Sequence, residues 1–440
     1  MKNRSLAVAF WGVTLAAAAA CRNEPAASTP RANEPREESR ALCLADAKGD
    51  TVVDRELRAL QEKALKLKTP PDPWVRVSQQ WVRKARLASD PGFYVNVAAC
   101  ARVALELESD FPPALLLRGL ALMNDHKFED ARALAERILA RDEGDESALG
   151  LLSDALLELG RYGEAAAAAQ RQMSARPGMA AHARGSYLRW IRGDTRAAKA
   201  LIRDALVDRD FRDPEPAAWA FVEAGTIFWH EADYAGADAL YAEALDWVPD
   251  YPAALVGRAR VAMAKNEAQR AVDLLEKVYR VRPLPETAWL LGDAFEMLGD
   301  TERAREAHAR VVRQGRRGDT LTLAAFYATK GRNVDEALSL IEEERKTRGG
   351  IYVDDVYAWA LYRSGRIAEA EKASARAARI GTKDAKLLYH AGVIRRAAGD
   401  EAGGLRLVKE ALALNPSFDW TGAAEARAIL AETPRRTASK

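Results

Sequence analysis

The sequence predicts an all-α fold: an α-α superhelical solenoid of about ten helical hairpins, closed by a C-terminal capping helix. Three observations carry this. The stretch from Ala218 to Tyr251 reads as two helices back to back, with Phe221, Ala224, Gly225 and Phe228 at helical spacing in the first and Ala237, Leu240, Tyr241, Ala244 and Leu245 in the second. Similar stretches open near Ser78, Pro112 and Glu146, each 34 residues after the last. The apolar residues, 48% of the chain, are spread evenly rather than gathered into one block, as stacked repeats require.

Glu231, Ala232 and Asp233 make the turn in the hairpin from Ala218, and Pro249 ends its second helix because it has no N–H to continue the ladder. Small residues, Gly225 and Ala237, stand where the two helices meet, and Tyr234 fills the turn. In these features the stretch resembles the tetratricopeptide repeat, a helical hairpin of about 34 residues. The resemblance implies a solenoid whose first helices line a concave ligand groove.

Taken in order, residues 1–20 read as a signal peptide: Lys2 and Arg4 form a basic start and Leu6 to Ala20 is an apolar or small run. Fifteen such residues are short for a membrane span. The end, Ala18-Ala19-Ala20-Cys21, is similar to a bacterial lipoprotein signal, which implies a lipid on Cys21. Ala18 stands where that family most often has Leu, and ordinary secretion with cleavage near Ala20 is the alternative. Residues 21–40 read as the lipidated Cys and a disordered tether, polar and rich in Pro, Glu and Ala. Arg22 after the lipid Cys favours the periplasmic side of the outer membrane, or the periplasm if no lipid is attached.

Residues 41–77 are expected to form an N-terminal helical cap, with Leu57, Leu60, Ala64 and Leu67 on one face of a helix that stops before Thr69-Pro70-Pro71. Cys43 and Cys100 are a disulfide candidate in an oxidising compartment; the other reading makes Cys100 a small buried helix residue.

The repeat array is expected over residues 78–416. Its first unit is degenerate, because Lys84 stands where Leu is usual. The unit from Glu146 fits well through Leu149, Leu152, Leu156, Gly160, Tyr162, Ala165, Ala169 and Pro177. Further units open near Met179, Ala218, Pro252, Pro285, Arg317, Ile351 and Ala385, with polar junctions at 314–319 and 347–350 where the array is expected to flex. Residues 417–432 read as the capping helix, with Ala424, Ala428 and Leu430 inward, and 433–440 as a frayed tail.

The resemblance places the concave face at defined positions of each first helix. Read onto this chain, it assigns a ligand-binding groove to Tyr187, Trp190, Trp219, Trp229, His230, Met263, Trp289, Trp359, Tyr362 and Tyr389. Five of the ten tryptophans fall in this set, and aromatic rings with a polar tip are the anchors peptide-binding surfaces use. Arg260, Asp293, Glu296, Asp355, Arg363, Lys386 and Arg396 interleave them. The other reading wedges some of these rings between hairpins as core, Trp289 first among them. The Lys and Asn pattern with which some repeats clamp a C-terminal carboxylate is missing.

Catalytic and metal motifs are absent: the five histidines are scattered without HExxH, and there is no GxSxG, phosphate loop or dinucleotide fingerprint. No cofactor is expected. Lys and Arg number 66 against 64 acids, a net charge of +2, so the field that nonspecific nucleic-acid binding needs is missing. The chain therefore reads as a non-enzymatic scaffold of the cell envelope, holding a peptide segment or partner protein in its groove and attached to the membrane by its N-terminal lipid. The alternatives are a carbohydrate-binding protein using the same rings and an accessory factor in outer-membrane or pilus assembly.

Overall fold

The structure, a computed structural model, describes residues 34–67 and 70–437, with side chains from 37 to 432 in those stretches. The signal peptide, Cys21 and the tether up to residue 33 lie outside the described residues, as do residues 438–440. The described chain forms 23 α-helices and no strand, and divides into two compact units that meet in sequence between Pro177 and Gly178.

The first unit begins with α1 (Glu34–Cys43) and α2 (Val52–Leu67). Three hairpins follow: α3 (Asp72–Leu87) with α4 (Tyr94–Leu107), α5 (Pro112–Asn124) with α6 (Phe128–Leu139), and α7 (Glu146–Glu158) with α8 (Tyr162–Ala175). Helix α1 starts inside the expected tether. Pro35 and the acids of its first turns suit a helix start, and its end is fixed to the core through Cys43. Cys43 and Cys100 are joined by a disulfide with Cα atoms 4.8 Å apart. The carbonyl of Cys43 also accepts from Trp81 Nε1 at 3.0 Å and Gln61 Nε2 at 3.1 Å, and Asn96 Nδ2 donates to the Leu42 carbonyl at 2.7 Å. These bonds satisfy the end of α1 that would otherwise be left unpaired.

Helix α3 already begins at Asp72, so it crosses the boundary expected at Ser78; Pro73 sits in its first turn and Trp74, Val75 and Val77 are buried. The unusual Lys84 has a reason. Its ammonium pairs with the buried carboxylate of Asp54 on α2. Burial alone would push Asp54 up, but Lys84 and Thr51 outweigh it and hold the group below the ordinary carboxylate value.

The second unit has seven hairpins: α9 (Met179–Trp190) with α10 (Thr195–Val207), α11 (Pro214–His230) with α12 (Tyr234–Trp247), α13 (Pro252–Ala264) with α14 (Ala268–Val281), α15 (Pro285–Met297) with α16 (Thr301–Gly318), α17 (Thr320–Lys330) with α18 (Val334–Glu344), α19 (Ile351–Arg363) with α20 (Ile367–Ala377), and α21 (Ala385–Ala397) with α22 (Glu401–Leu414). A last helix, α23 (Trp420–Thr437), follows. Gly225 and Gly257 explain one of the close helix contacts: a Cβ on Gly225 would lie 2.6 Å from Tyr241 Cε1, and one on Gly257 2.5 Å from Tyr241 Cζ. The Tyr241 ring fills the space that both glycines leave.

First helices of successive hairpins, from α11 to α21, pack directly on one another. The winding carries the last hairpins back to the first. Thr382 Oγ1 donates to the Ile191 carbonyl, Asn415 Nδ2 donates to the Trp229 carbonyl at 2.8 Å, and Tyr234 OH donates to Asn415 Oδ1 at 2.7 Å.

At 314–319 α16 runs through Gly318, Arg316 pairs with Glu336, and Asp319 Oδ1 accepts the Thr322 N–H at 3.0 Å to start α17. One expected detail changes. Helix α23 turns Gly422, Ala423 and Ala426 inward and leaves Ala424 and Ala428 exposed. It begins at Trp420, capped by Asp419, and that later start sets the inward stripe.

Candidate functional site

All ten residues assigned to the groove lie in the second unit. Tyr187, Trp190, Trp229 and His230 come together: ring centroids are 5.8 Å apart for Tyr187 and Trp190, 4.6 Å for Trp190 and His230, and 5.2 Å for Trp229 and His230. Trp359, Tyr362 and Tyr389 form a second group, with Trp359 centred 4.9 Å from Tyr362 and 5.7 Å from Tyr389. Trp289 meets Phe326 edge-on at 5.4 Å. Trp219 and Met263 are half-buried outside both groups, Met263 against the core around Leu275 and Leu291.

The rings are more enclosed than a groove lining would be. Trp190, Trp229, Trp359 and Tyr389 are buried, and the other six are half-buried. The cause is contact across the winding. His230 on α11 lies 3.7 Å from Asp384 at the start of α21, and Lys386 on α21 sits 5.1 Å above the Trp289 ring on α15. Burial pushes the His230 imidazolium down, and Arg260 nearby adds to that, against the pull of Asp384.

Charge runs through the same face. His390 Nδ1 and Asp355 Oδ2 are 2.8 Å apart, and the His390 ring stacks on Trp359 at 4.1 Å. Arg260 pairs with Glu286 and lies 5.7 Å above the Trp229 ring. Lys330 Nζ lies 2.8 Å from Asp293 Oδ1 and 3.0 Å from Glu296 Oε2. Burial lowers the Lys330 ammonium, but the two carboxylates outweigh it and its pKa is raised.

Asp293, Glu296 and His308 offer three ligand atoms within 4.8 Å of one another, a spacing a metal ion could use. The Lys330 ammonium already pairs with both carboxylates, and the group fits an ion-pair cluster better than a metal centre. His308 Nε2, buried without a hydrogen-bond partner, lies 3.7 Å from Asp293 Oδ1.

A helix from outside the repeat series reaches this face. The Lys386 ammonium lies 3.1 Å from Asp419 Oδ2, Lys330 Nζ donates to Thr421 Oγ1 at 3.3 Å, and Tyr389 OH donates to Glu425. The Phe418 ring is centred 5.5 Å from that of Tyr389. Burial raises Asp419 and lowers Lys386, yet their attraction wins at both ends: Asp419 is held below the ordinary carboxylate value and Lys386 above that of a free lysine. Burial, then Glu425, pushes the Tyr389 phenol well up.

Sequence reasoning missed Lys330, Asp384, His390, Asp419 and Glu425. Their ion-pair and hydroxyl partners in these contacts lie 33 or more residues away, as Lys386 does from Asp419 and Tyr389 from Glu425, so no local pattern marks them.

Family models described as tetratricopeptide repeat match residues 116–180 and 256–319, and a second such model matches 228–283. The chain carries tetratricopeptide repeats. Such repeats imply a protein–protein interaction scaffold. No curated protein matches the chain. Among solved structures, a human IFIT1 dimer with PPP-AAAA is 13% identical, with 87% of this chain and 95% of that one covered and a TM-score of 0.47. PilW, described as a widely conserved type IV pilus biogenesis factor, is 18% identical over 46% of this chain and 91% of its own, with a TM-score of 0.40. Yeast Tom70 is 14% identical over 87% and 97%, with a TM-score of 0.38.

Proposed function

We infer that the chain is a non-enzymatic interaction scaffold of the bacterial cell envelope, exported by its N-terminal segment, anchored through a lipid on Cys21, and holding a peptide segment or partner protein against the inner face of its second unit. One observation carries the reading: on that face Lys330, Lys386 and Tyr389 already hold the side chains of a helix that is not part of any hairpin. Half-buried Trp289, beneath Lys386, and Tyr362, stacked on Trp359, supply adjoining aromatic surface. The basic start, the apolar run and Ala18-Ala19-Ala20-Cys21 support export and lipidation. No helix among the described residues is long and apolar enough to cross a membrane.

The test places a photo-cross-linking residue at Tyr362 or Trp289 in living cells, with Arg305, 80% exposed on α16, as the control position. The expected result is one envelope protein trapped from the inner positions and not from Arg305. The same adduct from all three positions, or none from the inner pair, refutes the face as a binding surface. Metabolic labelling with a fatty acid, lost in Cys21→Ser, tests the anchor separately.

A further inference from the structure

Opposite walls of the second unit meet directly at His230 with Asp384 and at Lys386 with Trp289. Beside these contacts α23 packs on α17 and α21, where Lys330, Lys386 and Tyr389 meet it. Its hold there combines a narrow apolar stripe with three polar contacts. The inward stripe is Gly422, Ala423 and Ala426, side chains that bury little apolar area, with Phe418 at one end and half-buried Ile429 and Leu430 at the other. Against this stand the contacts of Asp419 with Lys386, Thr421 with Lys330 and Glu425 with Tyr389. Trp420 stays 40% exposed.

We propose that this face is a receptor for a helical segment with an aromatic residue, an acid directly after it and a second acid six residues further on, and that α23, with Phe418, Asp419 and Glu425, is its resident copy. A partner presenting the same pattern enters by displacing α23. The inference rests on the inner-face reading above and adds what occupies the face and what replaces it. Asp419 answers Lys386, Glu425 answers the Tyr389 hydroxyl, and the aromatic residue takes the place of Phe418 on the Tyr389 ring. Lys386, whose partner Asp419 leaves with α23, favours an acid at that place in the incoming helix.

The probe is a fluorescent peptide of residues 415–432, NPSFDWTGAAEARAILAE, added to the full-length protein. In the unsubstituted chain α23 competes in cis at high effective concentration, so the peptide binds weakly. In Asp419→Ala with Glu425→Ala, which loosens α23 and leaves the receptor intact, the peptide is expected to bind at least tenfold tighter. Adding Lys386→Ala to that variant should remove most of the gain. Equal weak binding to both folded proteins overturns the proposal and leaves α23 as a cap.

Hydrogen exchange on the unsubstituted chain covers the case in which the loosened variant misfolds. Saturating peptide should speed exchange in residues 420–432 by tenfold or more while α21 stays protected, and unchanged exchange also overturns the proposal. Failure here with inner-face cross-links present removes the displaced helix but keeps the binding face. Peptide binding without such cross-links does the reverse.

Discussion

Glu223 on α11 is a buried carboxyl whose Oε1 has no hydrogen-bond partner, and burial pushes its pKa from 4.5 to about 8. The neutral acid is therefore the form the fold accepts. Because the folded value lies above the unfolded one, the sign is the reverse of the usual carboxylate case. Below pH 4.5 both states are protonated and the group costs nothing in ionisation. As pH rises the unfolded chain gives up the proton first, so stability is lost progressively until the folded group ionises near pH 8. At pH 7 the loss is about 3 kcal/mol, and on the alkaline plateau about 5 kcal/mol, at 1.36 kcal/mol per pKa unit.

Glu223→Gln keeps the shape and cannot ionise. Thermal unfolding of the two proteins side by side, at pH 5 and pH 8, cancels every other titrating group. The expected result is near-equal transitions at pH 5 and a variant melting roughly 9 °C higher at pH 8, where the loss is about 4 kcal/mol and a unit of this size shifts by about 2 °C per kcal/mol. Parallel pH dependence in the two proteins would refute the burial argument.

Loss of the cross-link closing 57 residues, by Cys43→Ala with Cys100→Ala, should lower the stability of the first unit by about 4 kcal/mol on the loop-entropy account, seen as an earlier thermal transition under non-reducing conditions. Gly225→Ala forces a Cβ to 2.6 Å from Tyr241 and should cost about 1–3 kcal/mol in urea unfolding. Gly163→Ala, with nothing within 4 Å, should gain up to about 1 kcal/mol in the same assay. Lys330→Met leaves Asp293 and Glu296 without their cation and should cost about 3–5 kcal/mol. Added Zn²⁺ should then raise the melting temperature of that variant, with His308 as third ligand, and leave the unsubstituted protein unmoved.

Much of the fold was legible because hairpins are local. Helical spacing, a proline or Asp at many helix starts and a small residue where helices touch are written within a few residues of one another, and the hairpins of the second unit begin within a few residues of the expected places. The misses share a cause. Helix α1 and the early start of α3 depend on Cys43, Gln61, Trp81 and Asn96, which meet only after the chain has folded back. Lys84 looked like a weak repeat position because its partner Asp54 stands 30 residues earlier, outside any repeat.

The site shows the same division more sharply. Helical periodicity and the repeat resemblance together assigned Trp190, Trp229, Trp359 and Tyr389 to one face of their helices, and in the structure all four are buried, in contact with other rings. Periodicity fixes the direction of a side chain and says nothing about what stands opposite. What stands opposite is set by the winding summed over seven hairpins, a quantity that no single repeat carries. Summed far enough to bring Thr382 to Ile191 and Asn415 to Trp229, it encloses the face that a shallower winding would leave as an open groove. On the reading proposed above, a ligand for this face would be admitted by α23, which follows the last hairpin and packs on α17, α21 and α22 through both polar and apolar contacts.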